Sequence, residues 1–207
     1  MVQGMETAGF KKVTFTMKAF RIIVFISTLL CFLSAGAQQH AFILEPVTFR
    51  HYVDYFNTME NETIVQAIPN NESWNWMQQN IPLFQCADKN FEEIFYFRWW
   101  TLRKHIKKTE QGFVFTEFLI QRSYADKYNL ISSALGHHIY ESRWLHDKKY
   151  MDDNLHIWYR GNNGTPLKRL RFYSSWNIDA IYNRYLVNSD ADFVKNLYPG
   201  LLKDYKA

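Results

Sequence analysis

The side chains that could do chemistry in this 207-residue chain sit in three aromatic-rich tracts. In FEEIFYFRWWTLRKHI, Phe91 to Ile106, Arg98 stands beside Trp99 and Trp100, with Tyr96 just before them. A guanidinium can donate to several ring hydroxyls or to a carboxylate, and an indole offers a flat face to a sugar ring. A buried aromatic core, with Arg98 and Arg103 pairing Glu92 or Glu93 at helical offsets, is the competing reading. In GHHIYESRWL, Gly136 to Leu145, His137 and His138 precede Glu141 by four and three residues, so either pair can share a helix face, and Arg143 follows. Zinc needs three or four convergent ligands, and the His-Glu-x-x-His order is absent, so no metal is assigned. A face that binds substrate and a satisfied interhelical network both fit this tract. In FYSSWNIDAIYNRYL, Phe172 to Leu186, Trp176 and Asp179 lie three apart near a helix start that Ser174 or Ser175 can cap. An indole beside a carboxylate suits stacking plus acceptance from hydroxyls, while a dipole-favoured acid accounts for the same spacing. No serine occupies a nucleophile elbow and no glycine-rich phosphate loop follows a strand.

The elements that must position these tracts are helices. A first helix is expected over Phe49–Met59 with Thr48 as its cap, and a short one over Glu72–Gln79. Asp88 should cap a long helix over Asn90–Lys107, whose stripe of Phe91, Phe95, Trp99, Leu102 and Ile106 makes a core face. Gln111-Gly112 turns the chain into a strand or extended segment over Phe113–Ile120. Further helices are expected over Ile131–His146, Tyr150–Tyr159, Trp176–Val187 and from an Asp190 cap toward Tyr205. Antiparallel helical hairpins with at most a short strand or hairpin define an all-α architecture.

A basic flank (Lys11, Lys12, Lys18), an apolar run from Arg21 to Leu33 and Ala35-Gly36-Ala37 form a secretory signal peptide over residues 1–37, with Met17 as an alternative start. The run falls short of the roughly 20 residues that span a bilayer, so no membrane association is expected after its removal. Residues 38–207 keep 20 basic and 19 acidic side chains, which excludes a nucleic-acid footprint. Cys31 leaves with the signal and Cys86 stands alone, so export brings no internal disulfide. Aromatic residues make up 18% of the chain, enough for dense ring packing, for stacking surfaces in a pocket, or for both.

Together, the tracts IPLFQCADKNFEEIFYFRWWTLRKHI, RSYADKYNLISSALGHHIYESRWLHD and YRGNNGTPLKRLRFYSSWNIDAIYNRYL resemble the front part of exported bacterial six-hairpin glycosidases. That group includes relatives of trehalase, processing α-glucosidase and mannosylglycerate hydrolase. The resemblance covers about Phe49 onward and implies part of an (α/α)6 toroid with a sugar pocket at one mouth. It implies inverting hydrolysis of α-linked glycosides by two carboxyl groups, without cofactor or metal. By position it marks Tyr96, Arg98, Trp99, His137, His138, Glu141, Arg143, Trp176 and Asp179 as residues that bind an oligosaccharide or glycoside; Trp100 joins the candidates from its own tract, as the alternative to Trp99, and Glu92 and Glu141 are candidate partners in the pocket, not assigned as the acid. Phe97-Arg98 stands where trehalases carry Trp-Asp, which argues against trehalose itself. Twelve helices need on the order of 350 residues or more, so the catalytic half is expected to be missing and no catalytic residue is assigned. A non-catalytic exported module that binds carbohydrate or protein is the alternative.

Overall fold

The computed structural model describes residues 43–206. The expected signal peptide, its alternative start at Met17 and Cys31 therefore lie outside the described residues. Among those described, seven α-helices and one two-stranded hairpin make the fold, confirming a mainly helical architecture. No described helix is long and apolar enough to cross a membrane.

The chain enters through a 3-10 turn, Pro46–Phe49, that runs into α1, Arg50–Thr58. Thr48 does not cap α1, because Pro46 opens the turn and carries Thr48 inside it; Phe49 takes the cap position without a side-chain bond. A second turn, Asn70–Glu72, leads into α2, Ser73–Asn80. The third helix, α3, spans Lys89–Lys104, and here the expected cap is present: Asp88 Oδ1 accepts from the Asn90 and Phe91 amides at 3.0 and 3.3 Å.

Most of the expected stripe is buried: Trp99, Leu102 and Ile106 lie in the core and Phe95 packs against it. Phe91 faces solvent, and the helix buries Glu92, Tyr96, Trp99, Trp100, Leu102, Arg103 and Lys104. Phe49 and Tyr52 stack on Tyr96 at 5.0 and 5.4 Å between ring centroids, and Phe56 meets Trp100 at 5.9 Å. Much of the aromatic excess thus packs the α1–α3 interface. Charged residues join this core only with partners. Arg103 donates to the Ile68 carbonyl (2.5 Å) and Asn70 Oδ1 (2.7 Å), and Lys104 pairs with Glu60, so the last turn of α3 anchors the loop ahead of α2.

The helix stops before Ile106 and Lys107. These residues open β1, Ile106–Thr109, which pairs antiparallel with β2, Gly112–Phe115. Gly112 has φ of +129°, a conformation that requires glycine in so tight a turn. The free edge of β2 meets α5, Lys149–Arg160: Asp153 Oδ2 and Asn154 Oδ1 accept from the Phe113 and Phe115 amides, each at 3.1 Å. Side chains of α5 thereby satisfy strand donors that would otherwise be orphaned.

Helix α4, Ser132–Ser142, packs on α6, Asn177–Asn188, while α5 packs on α7, Ala191–Lys206. Alternate helices thus share contacts. Neither Ser174 nor Ser175 caps α6; Trp176 holds that position with no side-chain bond.

Candidate functional site

Between α3 and α4 lies a two-lobed hollow. The first lobe, about 200 Å³, has aromatic walls: Phe95 and Trp99 from α3, Tyr140 from α4 and Trp144 just beyond it. The second, about 320 Å³, is bordered by Thr101, His105, Glu117 and His138, with Phe97 at its side. Arg98, Leu102 and Glu141 line both lobes. An ion pair between Arg98 Nη2 and Glu141 Oε1 crosses from α3 to the end of α4 at this boundary. Arg98 therefore pairs across the hollow and not with Glu92 or Glu93.

Every ionisable group in the second lobe has a partner. His105 Nδ1–H donates to the Thr116 carbonyl at 2.8 Å, and burial pushes its pKa down, which keeps the ring neutral with Nε2 as its remaining acceptor. His138 Nε2 lies 3.3 Å from Glu117 Oε2, and that hydrogen bond holds the Glu117 carboxyl below the usual range. A low carboxyl pKa is the reverse of what a general acid needs. Among the described residues no group of three or more His, Cys, Asp or Glu is placed to hold a metal ion.

Of the ten sequence-marked residues, Arg98, Trp99, His138 and Glu141 border this hollow. Tyr96 and Trp100 do not. The Tyr96 hydroxyl donates to the Phe84 carbonyl (2.9 Å) and accepts from its amide (3.0 Å), while Trp100 Nε1 donates to Asn57 Oδ1 at 2.8 Å. Both are core residues whose polar atoms are used internally. His137 points away from the hollow's lining and meets the Trp176 ring edge-on at 4.7 Å. Arg143 stacks on Tyr140 and Trp144, 4.6 and 5.1 Å from the ring centres, and so backs the aromatic lobe without lining it. Asp179 reaches the lobe only through Tyr140, whose hydroxyl it accepts. Glu92, the further pocket partner, is instead buried under α1: it accepts from Tyr52 Oη (3.0 Å), the Cys86 amide (2.9 Å) and Lys89 Nζ (2.9 Å).

Tyr140, Trp144, His105 and Glu117 were not singled out by sequence. Tyr140 and Trp144 lie four apart within GHHIYESRWL, a helical spacing that marks one face. Glu117 and His105 carried no such signal, because β1 falls in the stretch expected as the end of the Asn90–Lys107 helix, ahead of a strand or extended segment over Phe113–Ile120.

Residues 127–207 match the mannosylglycerate hydrolase MGH1-like glycoside hydrolase domain. A solved structure titled "Sialidase" is similar to this chain at 56% sequence identity with a TM-score of 0.77, over 79% of this chain and 15% of that chain. No curated protein matches. These similarities support the resemblance to the six-hairpin glycosidase-like group, and the aligned part spans only a small fraction of the sialidase's length.

Proposed function

We propose that this chain is the N-terminal part of an exported glycoside hydrolase, an incomplete (α/α)6 toroid whose α3–α4 hollow seats the sugar of an α-linked glycoside. The observation that carries this reading is the Arg98–Glu141 pair set among Trp99, Tyr140 and Trp144. Aromatic faces supply stacking, and a paired guanidinium and carboxylate supply donors and acceptors for hydroxyls. The solved relative's title names a sialidase, but here Arg98 is engaged by Glu141 and Glu117 by His138. A hollow whose charges are paired favours a neutral sugar over an anionic one.

Inverting hydrolysis requires a general acid and a general base about 6.5–9.5 Å apart. Glu117, held below the usual carboxyl range by its hydrogen bond with His138, is not tuned for the acid, and no residue is assigned to either role. Purified protein should bind methyl α-glycosides in calorimetry yet hydrolyse nitrophenyl α-glycosides no faster than buffer. Binding lost in Trp144→Ala supports the hollow as the sugar site. Turnover by the chain alone would place the acid and base within it, and absence of binding by folded protein would refute the sugar-seating role.

A further inference from the structure

None of the residues at the glycine-rich end of α5 lines the α3–α4 hollow. There Asn162-Asn163-Gly164-Thr165 folds back on itself. Asn162 and Thr165 exchange both backbone hydrogen bonds, each at 3.1 Å, and the two residues between them have φ of +52° and +78°. Positive φ at both central positions marks the tight turn that Asn-Gly favours. Asn163 and Gly164 are exposed, on the rim of an open hollow of about 540 Å³ that His156, Arg160 and Asn196 also line. A Cβ built on Gly164 would meet no heavy atom within 4 Å, so the glycine serves its φ and leaves open space around its amide. This is the one Asn-Gly step in the sequence. A backbone nitrogen can attack the side-chain carbonyl carbon of a preceding asparagine, and a glycine nitrogen does so without a Cβ in the way. One bond restrains it here: the Gly164 amide donates to the carbonyl of Arg160, the last residue of α5, at 2.9 Å. That bond must open first, and helix ends open at lower cost than the core.

We propose that Asn163 is a site of spontaneous modification, converted to aspartate and isoaspartate at a rate set by opening of the α5 end. Gly164 N bonds to Asn163 Cγ, the Cγ–Nδ2 bond breaks, and ammonia leaves with the proton that Gly164 N gives up. The cyclic imide then adds one water at either of its carbonyls. Opening on one side leaves the main chain as it was, with a carboxylate in place of the amide. Opening on the other routes the main chain through the side-chain carbon, which lengthens it by one atom. In that product the two bonds between Asn162 and Thr165 no longer fit. Either product puts a new negative charge on the rim beside Arg160, whose guanidinium now donates to Asn196 Oδ1 on α7.

Incubation of the purified full chain at mildly alkaline pH, followed by peptide mapping in a mass spectrometer, tests this. Aspartate and isoaspartate should accumulate at position 163 ahead of every other described asparagine. Gly164→Ala should slow the conversion about tenfold or more, because a Cβ then obstructs the attacking nitrogen. The open space around Gly164 leaves room for that methyl group, and circular dichroism checks that the helices are retained. The wild-type chain held in urea should convert faster than the folded chain, since the bond to the Arg160 carbonyl is then gone. An Asn163 that stays intact in the folded protein while the urea-held chain is modified would overturn the proposal. Conversion that proceeds equally fast in the folded wild type and in folded Gly164→Ala would overturn it too, because Gly164 would then not be the attacking group.

Discussion

Tyr140 on α4 donates its phenolic hydrogen to Asp179 Oδ2 on α6, and Asn183 Nδ2 donates to the same phenolic oxygen at 3.0 Å. The two helices are tied together at a ring that walls the aromatic lobe. The carboxylate acceptor pushes the Tyr140 hydroxyl pKa up, since ionising it would place two anions in contact. Asp179 thus acts at a distance from the hollow, by holding Tyr140 in place.

Asp179→Ala should therefore weaken sugar binding by several fold while the helical signal and melting temperature change little. Asp179→Asn retains an acceptor for the hydroxyl and should restore most of the affinity. Calorimetry on both variants separates positioning from bulk: equal losses in the two would mean that the charge itself contacts ligand, and no loss in either would mean that Tyr140 needs no support.

Glu92 predicts an acid-sensitive stability. Burial alone would raise its pKa, but hydrogen bonds from Lys89, the Cys86 amide and Tyr52 outweigh burial and leave the carboxyl below its ordinary value. A folded pKa lower than the unfolded one stabilises the protein above the unfolded value, and that contribution is lost as pH falls through the folded value. Melting curves should show the wild type losing stability below about pH 4.3, the unperturbed glutamate value. Glu92→Gln should be about 2 kcal/mol less stable at neutral pH and should show a flatter acid limb. An unchanged acid limb would remove Glu92 from the account.

Gly200 lets α7 approach α5. A Cβ built there would lie 2.6 Å from the Tyr159 carbonyl oxygen, a backbone atom that cannot rotate away. Gly200→Ala should cost about 1–3 kcal/mol in urea unfolding as the helices are forced apart. A neutral result would show that the α5–α7 spacing is looser than described.

How much of this was legible in the sequence depended on where the information lay. Asp88 is a local signal, and it marks a true helix start. The Phe95, Trp99, Leu102 and Ile106 stripe of α3 was legible, but rings occupy every side of the helix, so periodicity alone did not separate exposed Phe91 from buried Tyr96 and Trp100. The deciding residues were polar ones, Glu92 and Arg103, which hydrophobic counting discards and which enter the core through hydrogen bonds to α1 and the Ile68–Asn70 loop. Arg98 and Glu141 were each marked by type, yet their pairing joins two tracts whose approach only the tertiary fold establishes.

Ile178, Tyr182 and Leu186 follow one another at helical spacing on α6 and face solvent, 44%, 58% and 57% exposed. An open apolar stripe of this kind binds hydrophobic dyes and promotes association. The purified chain should therefore enhance the fluorescence of such a dye, and Tyr182→Lys with Leu186→Glu should reduce that enhancement and any concentration-dependent association without altering the helical spectrum. An unchanged response would place the dye elsewhere.

The most direct test of the sugar-binding hollow is a crystal of the chain soaked with an α-linked disaccharide that binds in solution. The account predicts density between α3 and α4, one ring against Trp99 and Trp144 and hydroxyls within hydrogen-bond distance of Arg98 and Glu141. Sugar bound instead on the exposed Phe172–Trp176 segment, with the Arg98–Glu141 hollow empty, would contradict it.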